Sequence, residues 1–112
     1  MAQYIELDID QGADFSFDFT VTDADGSPTD VTDYTFVGSI RKSTYSLYET
    51  AAFDITIVDP FLGLVAVGLS ANNTAVIKAG RYMFDVKQTD PNNIITRIVE
   101  GIVTVNPQVT RG

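Results

Sequence analysis

Apolar residues stand at every second position through most of this chain, and that period admits strands and excludes amphipathic helices. Phe15, Phe17, Phe19 and Val21 share one face, while Ser16, Asp18, Thr20 and Thr22 share the other. Ile5, Leu7 and Ile9 alternate with Glu6, Asp8 and Asp10; Tyr34, Phe36, Gly38 and Ile40 alternate with Thr35, Val37 and Ser39; Phe53, Ile55 and Ile57 repeat the pattern. The Phe15–Val21 run reads as the central core strand. Leu64 to Leu69 is apolar on both faces. The clearest hairpin runs from Gly80 to Val105, around Thr89-Asp90-Pro91-Asn92-Asn93. Pro presets φ there, Asn tolerates φ > 0, and the Asp carboxylate can accept from nearby N–H groups.

Between these runs lie turn formers. Gln11-Gly12-Ala13 and Asp59-Pro60-Phe61-Leu62-Gly63 are short breaks, and residues 23–30 form a loop almost without apolar residues. Ser43 to Ala51 is either a loop or a ragged edge carrying Tyr45 and Tyr48. Residues 70–80 hold the one helical signal, with Ser70 as N-cap and Gly80 as stop, predicting a helical turn that crosses between sheets. The pattern predicts an all-β antiparallel sandwich of about seven short strands with one short helical turn. Residues 1–107 read as a single domain and 108–112 as a short tail. The last strand has two apolar faces, which fits either a central strand covered on each side or a strand that docks on another subunit.

Composition narrows the chemistry. The 112 residues contain no Cys, no His and no Trp. Disulfides, thiolate metal sites and Cys nucleophiles are therefore excluded, and the commonest general base and zinc ligand is missing. Net charge is −8, which repels phosphate backbones and anionic lipid surfaces. No apolar run approaches the roughly 20 residues of a membrane span. The start, Met1-Ala2-Gln3-Tyr4-Ile5-Glu6, does not read as a secretory signal, so synthesis in a cytoplasm is expected.

The best chemical candidates are the carboxylates of Asp23, Asp25, Asp30 and Asp33, since calcium takes clustered oxygen ligands. The EF-hand pattern is incomplete there, and turn formation explains the same residues. Asp8, Asp10, Asp14 and Asp18 form a second acidic run, without a cleft to make a carboxylate pair catalytic. No nucleophile elbow and no phosphate-binding glycine loop occurs. No enzyme activity and no cofactor is expected. Exposed apolar residues at loops and turn tips are common interface anchors, which marks Tyr45, Tyr48, Phe61 and Leu62 as protein-contact candidates.

The order of motifs adds a resemblance. It comprises Ile9-Asp10-Gln11-Gly12-Ala13-Asp14-Phe15, then residues 23–34, then Ile40-Arg41. It continues with Leu69-Ser70-Ala71, Ala79-Gly80-Arg81-Tyr82, Asp85-Val86, Thr89-Asp90-Pro91 and Thr96 through Val105. In this order the chain resembles small immunoglobulin-like β-sandwich structural proteins of tailed bacteriophages, and is similar to the N-terminal domain of upper baseplate proteins. The resemblance implies a virion protein without activity or cofactor. Its partners would be other virion proteins in a multi-copy symmetric assembly, with no nucleic acid and no membrane. Tail, baseplate and neck positions fit; alternatives are a capsid-surface decoration protein or a carbohydrate- or calcium-binding adhesion module. A single domain favours an adaptor over direct receptor binding.

Overall fold

The computed structural model of the protein describes residues 3–23, 25–43 and 49–109. Eight strands and one helix follow in order: β1 (Gln3–Asp10), β2 (Phe15–Thr20), β3 (Thr35–Arg41), β4 (Ala51–Ala52), β5 (Asp54–Asp59), β6 (Leu64–Leu69), α1 (Ala71–Ala75), β7 (Gly80–Thr89) and β8 (Ile95–Asn106). They form a five-stranded sheet, β1-β8-β7-β3-β4, and a three-stranded sheet, β2-β6-β5. The all-β, two-sheet expectation holds. The strand beyond the expected seven is the two-residue β4, in the stretch whose sequence was ambiguous.

The inner faces meet in a main core of Ile9, Ile40, Phe53, Val67, Leu69, Ile77, Tyr82, Phe84, Val86, Val99, Val103 and Val105, with a second cluster of Val21, Val31 and Val65. Burying each large apolar side chain contributes roughly 1.5–3 kcal/mol. Phe53 joins the layers: its ring lies 6.5 Å from that of Phe15 and meets Phe84 edge-on at 5.9 Å. Gly38 makes room for it, because a Cβ there would stand 2.9 Å from the Phe53 ring.

Four sequence expectations need correction. First, the sheets are not antiparallel throughout: β1 runs parallel to β8, in register from Gln3↔Val99 to Asp10↔Asn106. Alternation records which face a residue takes but is blind to strand direction. Second, β2 is an edge strand and β6 is the centre of its sheet. Phe15, Phe17 and Phe19 are consequently half-buried. The small outward residues Ala66 and Gly68 explain why β6 reads as apolar on both faces. Third, Ile98 is an extra residue in β8, since Val86 pairs with Val99 but Lys87 pairs with Arg97. This bulge turns Ile98 onto the core and sends Arg97 to the outer face, on the side of Glu100, so simple alternation fails across it. Fourth, the helix ends at Ala75 with Val76 as its C-cap, and Gly80 instead opens β7 with φ 147°.

The helix start matches its sequence signal. The Ser70 side chain accepts from the Asn73 N–H, and α1 carries the chain from one sheet to the other. It is stitched to the β1–β2 turn. Buried Thr74 accepts from the Gly12 N–H at 3.1 Å and donates to the Ala13 carbonyl at 2.8 Å. Asp14 accepts from the Ala71 N–H at 2.7 Å, and Gln11 Nε2 donates to the Ile77 carbonyl at 2.7 Å. Gln108, which the sequence places in the tail, donates its N–H to Gln11 Oε1 at 3.1 Å. The 90–93 turn closes as its residues dictate: Asp90 Oδ1 accepts from the N–H groups of Asn92 and Ile94, and Asn93 takes φ 66°.

Two substitutions test this frame by urea denaturation. Thr74→Val keeps the shape but strands the Gly12 N–H and the Ala13 carbonyl, so it should cost about 1–3 kcal/mol, with Thr74→Ser costing less. At Gly101, paired with Ile5, an added Cβ would collide with the Ile5 carbonyl of β1. Gly101→Val should therefore destabilise the protein by about 3 kcal/mol through loss of the parallel pair.

Candidate functional site

The candidate contact residues divide at once. Tyr45 and Tyr48 lie outside the described residues. Phe61 and Leu62 project from the β5–β6 turn, 73% and 55% exposed. The alternative, that they tuck into the end of the core, does not hold.

Local chemistry makes this turn rigid. Asp59 Oδ1 accepts from the N–H groups of Phe61 and Leu62 at 3.1 and 3.3 Å. Gly63 closes the turn at φ 67°, a conformation that favours glycine. A Cβ at Gly63 would also stand 2.6 Å from the Thr29 carbonyl and 2.7 Å from that of Val21. The Val21 N–H donates to the Gly63 carbonyl, and the Val31 N–H donates to that of Pro60, each at 2.8 Å. Residues 59–63 are thus clamped to both ends of the 23–33 loop, and two apolar side chains stand on a fixed base.

Three of the four aspartates of that loop accept local hydrogen bonds. Asp23 Oδ1 accepts from the Thr29 hydroxyl at 2.7 Å, and Asp25 Oδ1 from the Ser27 N–H at 3.0 Å. Asp30 Oδ1 accepts from the Thr32 hydroxyl at 2.6 Å and the Thr32 N–H at 3.0 Å. Asp33 takes φ 66°, a conformation that Asp tolerates in turns. Among the described residues no three acidic side chains come together to hold a metal ion. The loop geometry is that of side chains replacing backbone partners in turns.

A second surface emerges that the contact candidates did not include. Across the outer face of the five-stranded sheet, β7 presents Arg81, Met83, Asp85 and Lys87, and β3 presents Val37, Ser39 and Arg41. Two carboxylates, Asp85 and Glu100, stand directly opposite each other, as do two cations, Lys87 and Arg97. Like charges in such pairs repel. Arg97 relieves both pairs by reaching diagonally, with Nε 3.3 Å from Asp85 and Nη1 3.1 Å from Glu100. Around this ion cluster lies an open groove of about 380 Å³, with Met83 and Gly101 in its lining and Tyr4 at its margin. The alternation of β7 already contained half of this face. Arg97 was hidden because the bulge reverses its side.

A second groove of about 320 Å³ separates the end of β2 from β7 and β8, and Gln88 lines it. Gln88 Oε1 is buried there without a hydrogen-bond partner among the described residues. In the first groove the Ser39 hydroxyl donates to Glu49 at 2.7 Å, and Asp23 and Thr29, already described as a hydrogen-bonded pair, line the second.

No protein-family model matches the chain, and no curated protein matches it.

The loop carboxylates give a pH prediction. The Ser27 N–H, and then its hydroxyl, hold Asp25 below the ordinary 3.8. The Thr32 hydroxyl, and then its N–H, do the same for Asp30. For groups depressed in the folded state, the stabilisation is present above the ordinary value and is lost as pH falls through the lower folded values. The amide proton shifts of Ser27 and Thr32 should therefore titrate with midpoints below 3.8. A transition at or above 3.8 would mean that these bonds do not form in solution.

Proposed function

We propose that the protein is a non-enzymatic structural adaptor of a tailed-phage particle, in its tail, baseplate or neck, and that it binds other virion proteins. The observation that carries the contact role is the Phe61–Leu62 turn. It exposes two large apolar side chains on a base held by Asp59 and Gly63, so little conformational freedom remains to be lost on docking. Exposed apolar side chains on an otherwise acidic surface fit recognition better than solubility.

The immunoglobulin-like part of the reading draws support from strand order. In chain order β2, β6 and β5 take the places of strands B, E and D, while β8, β7 and β3 take those of G, F and C. The short β4 then stands beyond β3 as C′ does in the variable-type arrangement. The motif order from Ile9 to Val105 supplies the link to phage sandwiches. The copies of such a subunit on a symmetric particle would gain attachment through multivalency, which tolerates a small contact per copy.

The test is incorporation. Phe61→Ala leaves an exposed position and should not change the unfolding midpoint. It should lower the copy number in purified particles, measured by quantitative mass spectrometry, roughly tenfold if the side chain anchors the contact. Unchanged incorporation of Phe61→Ala and of Leu62→Ala would rule the turn out as the anchor. Absence of the wild-type chain from purified particles would rule out the virion role itself.

A further inference from the structure

We infer that copies of this chain associate head to tail, the Phe61–Leu62 turn of one copy seating in the outer groove of the five-stranded sheet of the next. This rests on the assembly reading above and names the occupant of a surface that reading leaves open.

Charge segregation points to it. No Lys or Arg occurs in residues 1–40 or 43–77. The charged residues of the three-stranded sheet, the 23–33 loop and the 59–63 turn are therefore all acidic, with Asp59 bonded to the backbone of the projecting residues. Arg41, Arg81, Lys87 and Arg97, four of the 7 basic residues, by contrast stand on the outer face of β3, β7 and β8, where they outnumber the carboxylates Asp85 and Glu100, while Glu6, Asp8 and Asp10 lie on the same face of the edge strand β1. An acidic end meeting a face that holds most of the cations is complementary, whereas two acidic ends repel.

Shape and polarity agree. The groove of about 380 Å³ lies within the roughly 300–1,000 Å³ typical of pockets that enclose small groups. Met83, 40% exposed, and Tyr4, 57% exposed, offer apolar surface to a Phe ring. Lys87 makes no ion pair among the described residues and stands at the rim, placed to meet a carboxylate from the turn's surroundings. Knob and groove lie on different sheets, so each copy retains one of each after a contact forms. Such a heterologous contact repeats into a ring or an open filament rather than stopping at a two-fold dimer.

Sedimentation velocity on the full chain, from micromolar to millimolar and at low and high salt, tests this. The wild type should show species beyond the dimer as concentration rises, weakening with salt. Phe61→Asp removes the knob and Met83→Glu blocks the groove; each alone should weaken association at least tenfold. Mixed in equal amounts they should form a heterodimer and stop there, because only one competent knob and one competent groove remain. Unfolding midpoints verify that both variants fold, and Lys87→Glu serves for the groove if Met83→Glu does not. A strictly monomeric wild type, a Phe61→Asp protein that assembles like the wild type, or a mixture that stays monomeric would each overturn the proposal. A Phe61→Ala protein lost from particles while the purified wild type stays monomeric would overturn self-docking alone. Self-assembly of a chain that no particle contains would overturn the virion reading alone.

Discussion

The five-stranded sheet depends on the last strand. β8 hydrogen-bonds β7 on one side and β1 on the other, so it joins a local hairpin to the most distant pairing in the chain. Val99, Val103 and Val105 on its inner face are buried. Gly101 between them lets the β1 backbone approach closely. Without β8 the first strand has no partner, and Ile9 loses the wall it packs against. β8 is interior to its sheet, with both edges paired. The docking question moves to the outer face that β8 shares with β7 and β3.

The bulge at Ile98 shows how one residue couples stability to surface chemistry. Its side chain adds to the core near Val21, Val31 and Val65. The same shift delivers Arg97 to the outer face, where it neutralises two carboxylates that the ladder forces together. Were Ile98 paired as an ordinary rung instead, Arg97 would fall on the inner side and Asp85 and Glu100 would face each other unrelieved. Local irregularity here builds the ion cluster around which the groove is arranged.

Much of this was legible in the residues, and the remainder was hidden for definable reasons. Period-two alternation identifies β1, β2, β3 and β5, and Asp90-Pro91-Asn92-Asn93 identifies the hairpin turn between β7 and β8. Ser70 marks the helix start because a capping side chain acts within three residues. Strand direction, the edge position of β2 and the side taken by Arg97 are non-local. They depend on which strands neighbour each other, and no window of sequence contains that. Phe61 and Leu62 stood out because two large apolar residues in a Pro-Gly turn have no alternating pattern to explain them. The aspartates of residues 23–33 were ambiguous for the opposite reason, since turns and cation sites draw on the same side chains.

The parallel pairing of first and last strands also has a mechanical consequence. Gln3 lies beside Val99 and Asn106 beside Asp10, so the outer ends of β1 and β8 sit at opposite poles, roughly 23 Å apart for seven residue steps. Tension applied between residues 3 and 106 would run along the strands and load the rungs of that ladder together, in shear. An antiparallel pair pulled from its open end would instead peel one rung at a time. The arrangement of strands thus favours resistance to stretching along the long axis of the sandwich, independently of how stable the fold is at rest.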